Sequence, residues 1–98
     1  MSHPSFDQLL QKLQKFESQI PKGSRWIHYK DEKSEHPYEV LNLAINEADE
    51  EVVVCYRRLD MPENFVWVRK VKGESGWLTN VEIQGKEIPR FRFLKNSS

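Results

Sequence analysis

The sequence predicts a mainly β (α+β) domain: a small, SH3-like, partly open antiparallel β-barrel of roughly five to six strands with one N-terminal amphipathic helix. Two observations favour this class. Short runs of β-branched and aromatic residues alternate with turn residues over residues 25–93. Ahead of them, apolar residues recur with a period of about 3.6 residues over residues 5–20. The 98 residues are expected to form a single domain with a tail at residues 94–98.

The predicted helix over residues 5–20 begins at a capping box, in which Ser5 and Gln8 satisfy each other's backbone N–H groups. Pro21 ends it, because proline disfavours helical geometry in the preceding residue. Residues 1–4 are expected to fray. We expect the helix to lie on the sheet as a lid, since a short helix has little stability of its own. The alternative is that its apolar stripe binds a partner or a second copy. The stripe comprises Phe6, Leu9, Leu10, Leu13, Phe16 and Ile20.

A β-hairpin at residues 52–59 and 65–71 is the centre of the predicted sheet, with Asp, Pro and Asn in the turn between its strands. Strands at residues 25–30 and 38–45 precede it. Because the connections are short, these four strands should form a meander of antiparallel neighbours. Residues 71–76 are predicted to be a loop.

A second hairpin is predicted at residues 78–83 and 86–93, around Gln84 and Gly85. Pro89 lies within its last strand. That strand is therefore expected at a sheet edge, since proline cannot donate a hydrogen bond to the ladder.

Short motifs lie in order along these strands. They are His28-Tyr29-Lys30, Tyr38-Glu39-Val40-Leu41, Val53-Val54 with Tyr56-Arg57, Trp67-Val68-Arg69, and Gly85-Lys86 with Pro89-Arg90-Phe91. Together they resemble the pattern of an uncharacterised bacterial family known as domain of unknown function 1653. The resemblance spans about residues 25–93 and leaves the N-terminal helix outside. It implies a small β-rich bacterial domain and little about activity.

Cysteine content and hydropathy predict the compartment. Cys55 is the only cysteine, so no disulfide can form within the chain, and it lies in the most apolar run. A reducing cytoplasm fits this best. The N-terminus has no continuous apolar segment of the signal-peptide type, and no run of about 18 apolar residues occurs, so we expect neither secretion nor membrane association.

Charge is balanced overall but segregated along the chain. The formal net charge is zero, which argues against avid non-specific binding of nucleic acid. Residues 31–51 have one basic and eight acidic side chains, whereas residues 52–98 have nine basic and five acidic ones. One interpretation is a solvated acidic loop and strand edge. The other is a dipolar molecule with one basic face.

No residue pattern points to catalysis, a metal or a cofactor. Cys55 lies in an expected core strand, whereas a catalytic thiolate needs exposure and a neighbouring base. His28 and His36 do not have a recognised zinc spacing, and the glycines of residues 73–76 are not followed by a phosphate-binding Lys. We therefore expect a non-enzymatic protein without a cofactor. A small polar catalytic site near His28 and Tyr29 is the remaining alternative.

Aromatic and basic residues interleave across the predicted strands, and we interpret this pattern as a ligand site. Side chains alternate along a strand, so Trp67 and Arg69 should share a face. Flat rings beside guanidinium groups suit bases, phosphates or acidic peptides. We expect a nucleic acid or an acidic protein as partner, and a monomer or weak homodimer. The plainer alternative is that the rings are core and the arginines pair with carboxylates. The candidate ligand-binding residues are His28, Tyr29, Arg57, Trp67, Arg69 and Arg90.

Overall fold

Residues 5–94 are described by a computed structural model of the chain. These residues form one helix, a five-stranded antiparallel sheet and a separate two-stranded sheet. No helix among them is long and apolar enough to cross a membrane. Residues 1–4, and residues 95–98 of the predicted tail, lie outside the described part. The elements are α1 (Phe6–Glu17), β1 (Arg25–His28), β2 (Tyr38–Asn46), β3 (Glu51–Arg58), β4 (Trp67–Lys70), β5 (Val81–Ile83), β6 (Lys86–Ile88) and β7 (Phe91–Leu94).

Helix α1 begins at the predicted capping box and ends earlier than predicted. The Ser5 Oγ accepts from the Gln8 N–H at 3.2 Å, and the Gln8 Oε1 accepts from the Ser5 N–H at 3.0 Å. Ser18 is the C-cap, so Ile20 is not part of the helix as the sequence had suggested. The Ile20 N–H still donates to the Phe16 carbonyl, at 2.8 Å. This final turn carries Ile20 into the core, where it is fully buried.

The five-stranded sheet has the strand order β4-β3-β2-β1-β7. The predicted meander of the first four strands is confirmed. A bulge between Val40 and Asn42 shifts the register of β2, so that Leu43 and Ile45 pack against the core as Val40 does. Strand β4 is shorter than predicted and begins at Trp67. The Phe65 N–H donates to the Pro62 carbonyl at 2.9 Å, so the turn extends further than the apolar composition suggests.

The predicted final strand is two strands, broken at Pro89. Before it, β6 pairs with β5 around a turn in which Gln84 and Gly85 both have positive φ, 52° and 81°. After it, β7 crosses to pair with β1 in the main sheet. Proline has no N–H, so the ladder cannot continue through it. Strand β5 also begins late, at Val81.

Among residues 5–94 the main sheet is not closed into a barrel by hydrogen bonds: β4 and β7 are its two edges. The predicted mainly β class with one helix is confirmed at this level. The edges nevertheless come within reach of each other's side chains. The Arg69 guanidinium of β4 lies 5.4 Å from the centre of the Phe91 ring of β7.

The core lies against one face of the sheet and is covered from two directions. The C-terminal half of α1 covers one part, whereas the sequence predicted that the whole helix would lie on the sheet as a lid. Trp77, which precedes β5, covers the other by stacking on Phe91 with ring centroids 3.8 Å apart. Burial of each large apolar side chain contributes about 1.5–3 kcal/mol. The buried cluster comprises Phe16, Ile20, Trp26, Val40, Val52, Val54, Tyr56, Val71, Trp77 and Phe91.

Gly76 allows the chain to bring Trp77 over the core. A Cβ atom at Gly76 would lie 2.6 Å from the Val71 carbonyl oxygen and 2.6 Å from the Lys72 carbonyl carbon, a distance that real Cβ atoms essentially never show. The Trp77 N–H donates to the Lys70 carbonyl at 2.8 Å, which ties this loop to the end of β4. A side chain at Gly76 would therefore displace the loop or Trp77.

Candidate functional site

Trp67 and Arg69 share one face of β4, as the alternation of side chains predicted. Trp67 is directly opposite Tyr56 and Arg69 opposite Val54 in the register of the β3–β4 pair. Tyr56 and Val54 are buried, so this is the core face of the sheet. Because β4 is an edge strand, Trp67 is still 48% exposed, and its ring packs edge-on against Phe65 with centroids 5.1 Å apart.

Arg69 is held among aromatic rings and backbone carbonyls. Its Nη1 donates to the Ser75 carbonyl at 2.7 Å, and its Nε donates to the Tyr56 hydroxyl at 3.4 Å. The guanidinium also lies over the Phe91 ring. A cavity of about 400 Å³ opens between β4 and the loop of residues 72–76, with Tyr56, Trp67 and Arg69 on its walls.

Arg90 reaches the same loop from the other edge of the sheet. Its Nη2 is 3.4 Å from the Glu74 carbonyl oxygen. Its Nε is buried and has no hydrogen-bond acceptor among the described residues. Within residues 5–94, the ion pairs with carboxylates involve neither Arg69 nor Arg90. The Nε1 of Trp77 is a second buried N–H without an acceptor in this part of the chain.

His28 lies close enough to Arg69 and Arg90 for their positive charges to affect its pKa. Burial lowers its pKa, and the positive charges of Arg69, Lys30 and Arg90 lower it further, while Asp31 acts weakly in the opposite direction. The Nδ1 accepts from the Lys30 N–H at 3.2 Å, so the neutral ring carries its hydrogen on Nε2. We call His28, Arg69 and Arg90 the basic cluster.

The remaining candidate residues differ in their relation to this cluster. Tyr29 adjoins it: its ring centroid is 4.6 Å from that of His28, and its N–H donates to the Arg90 carbonyl at 2.9 Å. Arg57 does not. It follows Tyr56 in β3, so it points to the opposite face of the sheet, where its Nε is 3.6 Å from the Glu39 Oε1. The single basic surface expected for Arg57 together with Trp67, Arg69 and Arg90 is therefore not formed.

A polar cavity of about 410 Å³ lies beside His28, between the loop of residues 30–36 and Arg58. Asp60 links two residues that line this cavity. Its carboxylate accepts from the Arg58 Nη2 at 3.0 Å and is 3.1 Å from the His36 Nδ1. Arg58 holds the pKa of Asp60 below its usual value. Within residues 5–94, no group of three or more His, Cys, Asp or Glu side chains could hold a metal ion.

Cys55 has the environment of a structural thiol. Burial raises the pKa of its thiol, which lowers the fraction of the nucleophilic thiolate. Its neighbour across the β3–β4 pair is Val68, on the face opposite the basic cluster.

Sequence reasoning missed the contribution of the loop of residues 73–77. Its backbone carbonyls hold Arg69 and Arg90, and its Trp77 covers the core. The signal available was Gly76 itself, since a glycine permits a close approach of the backbone. Hydrogen bonds to backbone carbonyls leave no such signal, because any residue type can supply them.

Comparison with protein-family models matches residues 24–93 to a family described as "Protein of unknown function (DUF1653)". The chain belongs to this family. The resemblance seen in the strand motifs is thus confirmed. All residues of the basic cluster of this DUF1653 chain lie in the matched region, whereas α1 precedes it.

The chain is also similar to a crystal structure of a protein belonging to DUF1653 from Bordetella bronchiseptica. The two are 26% identical, with a TM-score of 0.60, over 82% of this chain and 95% of that chain. No curated protein matches the DUF1653 chain.

Proposed function

We propose that the chain is a non-enzymatic binding module that holds an anionic ligand at the basic cluster and Trp67. The observation that carries this proposal is that Arg69 and Arg90 reach adjacent backbone carbonyls of one loop, those of Ser75 and Glu74, and that neither has a carboxylate partner among residues 5–94. Both guanidinium groups therefore keep a positive charge that no acidic side chain in this part of the chain neutralises. A ligand that carries negative charge and hydrogen-bond acceptors can pair with them.

The exposed rings beside the arginines favour a single-stranded nucleic acid as the ligand. Trp67 and Phe65 are 48% and 42% exposed and lie next to each other at the β4 edge. Bases stack on such rings with little dependence on sequence, while guanidinium groups bind the phosphates. An acidic peptide is the competing ligand, to be separated by experiment. Because the net charge of the chain is zero, we expect modest, salt-sensitive binding.

We also infer a setting and a finer description of the fold. The approach of Arg69 to Phe91 across the two sheet edges supports a partly open, SH3-like barrel. The Bordetella relative supports a bacterial protein. The single free cysteine, Cys55, supports residence in the reducing cytoplasm.

The test is a ¹⁵N–¹H NMR titration of the chain with a short single-stranded RNA, the matching single-stranded DNA and an oligoglutamate peptide, at low and moderate salt. We expect saturable shifts at His28, Trp67, Arg69 and Arg90 with the nucleic acids, which weaken as salt is raised. Shifts at the same residues with oligoglutamate alone would replace nucleic acid with an acidic peptide. No shifts at the cluster with any of the three probes at low salt would overturn the proposal.

Variants with matched charge changes make the test specific. Arg69→Gln and Arg90→Gln should each weaken binding about tenfold, which corresponds to one lost charge-assisted contact. Arg92→Gln is the control: Arg92 lies opposite Ile27 in the β1–β7 register, whereas Phe91, under the Arg69 guanidinium, lies opposite His28, and the Arg92 Nη2 donates to the Ser34 hydroxyl at 2.7 Å. Equal loss of affinity in all three variants would indicate a general charge effect and contradict the assigned site.

A further inference from the structure

Helix α1 buries only its C-terminal half. Phe16 is 4% exposed, and Leu13 packs against the same core cluster. At the N-terminal end of the same apolar stripe, Phe6 is 90% exposed and Leu10 is 49% exposed. Within residues 5–94, no element covers these two side chains. The amphipathic pattern of the helix therefore extends a full turn or more beyond what the chain's own core uses.

The uncovered half of α1 forms one wall of an apolar groove. The opposite wall is the end of β2 and the turn that follows it. The groove has a volume of about 820 Å³. This arrangement, an apolar trough beside an exposed helix stripe, is the geometry that accepts an amphipathic helix from a partner. Its apolar lining consists of Phe6, Leu9, Leu10, Leu13, Ile45 and Ala48.

The charges around the groove select the kind of partner. The charged residues that line it are Asp7, Glu47 and Glu50, all acidic. Neither lysine of α1 lines the groove. The Lys12 Nζ donates to the Glu50 backbone carbonyl at 3.4 Å and lies 4.0 Å from the Glu51 carboxylate, and the Lys15 Nζ lies 5.7 Å from the centre of the Phe16 ring. The groove thus has an apolar floor and an acidic rim.

We propose that this groove binds an amphipathic helix of a partner protein, with apolar residues on one face and Lys or Arg beside them. A second copy of the chain fits less well, because two copies packed through this face would bring their acidic rims together. The same rim disfavours an anionic lipid surface. The site uses no residue of the basic cluster, so it does not depend on the function proposed above.

The test uses the full chain and two designed peptide probes. Both have Leu at positions i, i+3, i+4 and i+7 of a helix; one has Lys at its other positions and the other has Glu. In an NMR titration we expect saturable shifts at Leu9, Leu10, Leu13 and Ile45 with the Lys peptide, and binding of the Glu peptide at least about tenfold weaker. No shifts in the groove with the Lys peptide, or equal response to both peptides, would overturn the proposal.

Two substitutions locate the site and a third is the control. Leu10→Ser removes an exposed apolar contact, and Glu47→Lys reverses one rim charge; each should weaken the Lys peptide about tenfold. Val68→Ser is the matched control, since Val68 is equally apolar and 61% exposed on β4. Thermal melts should be unchanged in all three because the side chains are exposed.

The oligomeric state of the chain separates a partner protein from a second copy. Sedimentation should show a monomer. A dimer that Leu10→Ser dissociates would assign the groove to a second copy and contradict the proposal.

Discussion

Arg90 connects the edge of the main sheet to the loop that covers the core. Its backbone carbonyl accepts from the Tyr29 N–H, its Nη2 reaches the Glu74 carbonyl, and its Nε is buried without an acceptor among residues 5–94. Arg69 approaches the same loop from β4 through the Ser75 carbonyl. Two cations that are fixed by neutral carbonyls keep their full charge available for a ligand, which a carboxylate partner would have neutralised.

The pKa of His28 depends on the positive charges of the two arginines in the basic cluster. Burial is the largest cause of its lowered pKa, and Arg69 is the next, ahead of Lys30 and Arg90. We therefore expect Arg69→Gln to raise the pKa of His28, and Arg90→Gln to raise it less. The pH titration of the His28 Cε1 proton by NMR measures both, with Arg92→Gln as the control. An unchanged pKa in Arg69→Gln would contradict the placement of His28 beside that guanidinium.

The lowered pKa of His28 also makes the free energy of unfolding depend on pH. The folded chain holds the pKa of His28 below 6.5, so between the two pKa values the unfolded chain binds more protons than the folded one. The contribution of His28 to the free energy of unfolding is therefore full above pH 6.5 and is lost as the pH falls below it. In urea denaturation at a series of pH values, His28→Gln should lose this part of the dependence.

Gly76 is the glycine at which an added methyl group would overlap other atoms. Its Cβ position is occupied by the backbone of Val71 and Lys72. We expect Gly76→Ala to lower the free energy of unfolding by about 1–3 kcal/mol, the usual cost of overpacking. Urea denaturation measures it, and Ser75→Ala, a change in the neighbouring exposed residue, should have little effect. Equal stability of the two variants would contradict the close packing of this loop.

Helix α1 divides into a half that stabilises the fold and a half that does not. Phe16 belongs to the core cluster, so Phe16→Ala should lower the free energy of unfolding by about 3–5 kcal/mol. Phe6 is 90% exposed, so Phe6→Ala should change it by less than about 0.5 kcal/mol. The pair is matched in residue type and helix, and urea denaturation compares them directly. Similar losses in both variants would mean that the N-terminal half also packs on the core.

Elements were predictable where local pattern determines them. The capping box at Ser5 and Gln8 determined the start of α1, and runs rich in apolar residues located β2 and β3. Strand ends were less predictable because they depend on contacts distant in sequence. Pro89 separates two strands that belong to different sheets, and composition alone does not distinguish this from one edge strand.

At the scale of the whole molecule, the segregated charges are partly interleaved by folding. Acidic residues of the 31–51 segment pair with cations from later strands, as in the contacts Asp49–Lys70 at 2.9 Å and Glu39–Arg57 at 3.6 Å. Arg69 and Arg90 receive no such partner among the described residues. The sequence thus indicated which residue types the candidate site would contain, arginine and aromatic residues, but not which individual arginines would lie together. Strand pairing and the alternation of side chains decide that.

The curvature of the main sheet explains why these residues meet at all. Strands β4 and β7 are the two edges of the sheet, yet Arg69 of one lies over Phe91 of the other. The twist and coiling of the sheet let its two edges come within reach of these long side chains. The candidate site is therefore a property of the whole fold, and no single hairpin contains it.

The salt dependence of affinity for a short single-stranded RNA tests the central claim most directly. It is measured for the wild-type chain, Arg90→Gln and the control Arg92→Gln. We expect the slope of log K against log salt to become smaller by about 0.7 in Arg90→Gln, which corresponds to one lost phosphate contact, and to be unchanged in Arg92→Gln. The absence of binding at low salt, or the same slope in Arg90→Gln and the wild type, would contradict the account.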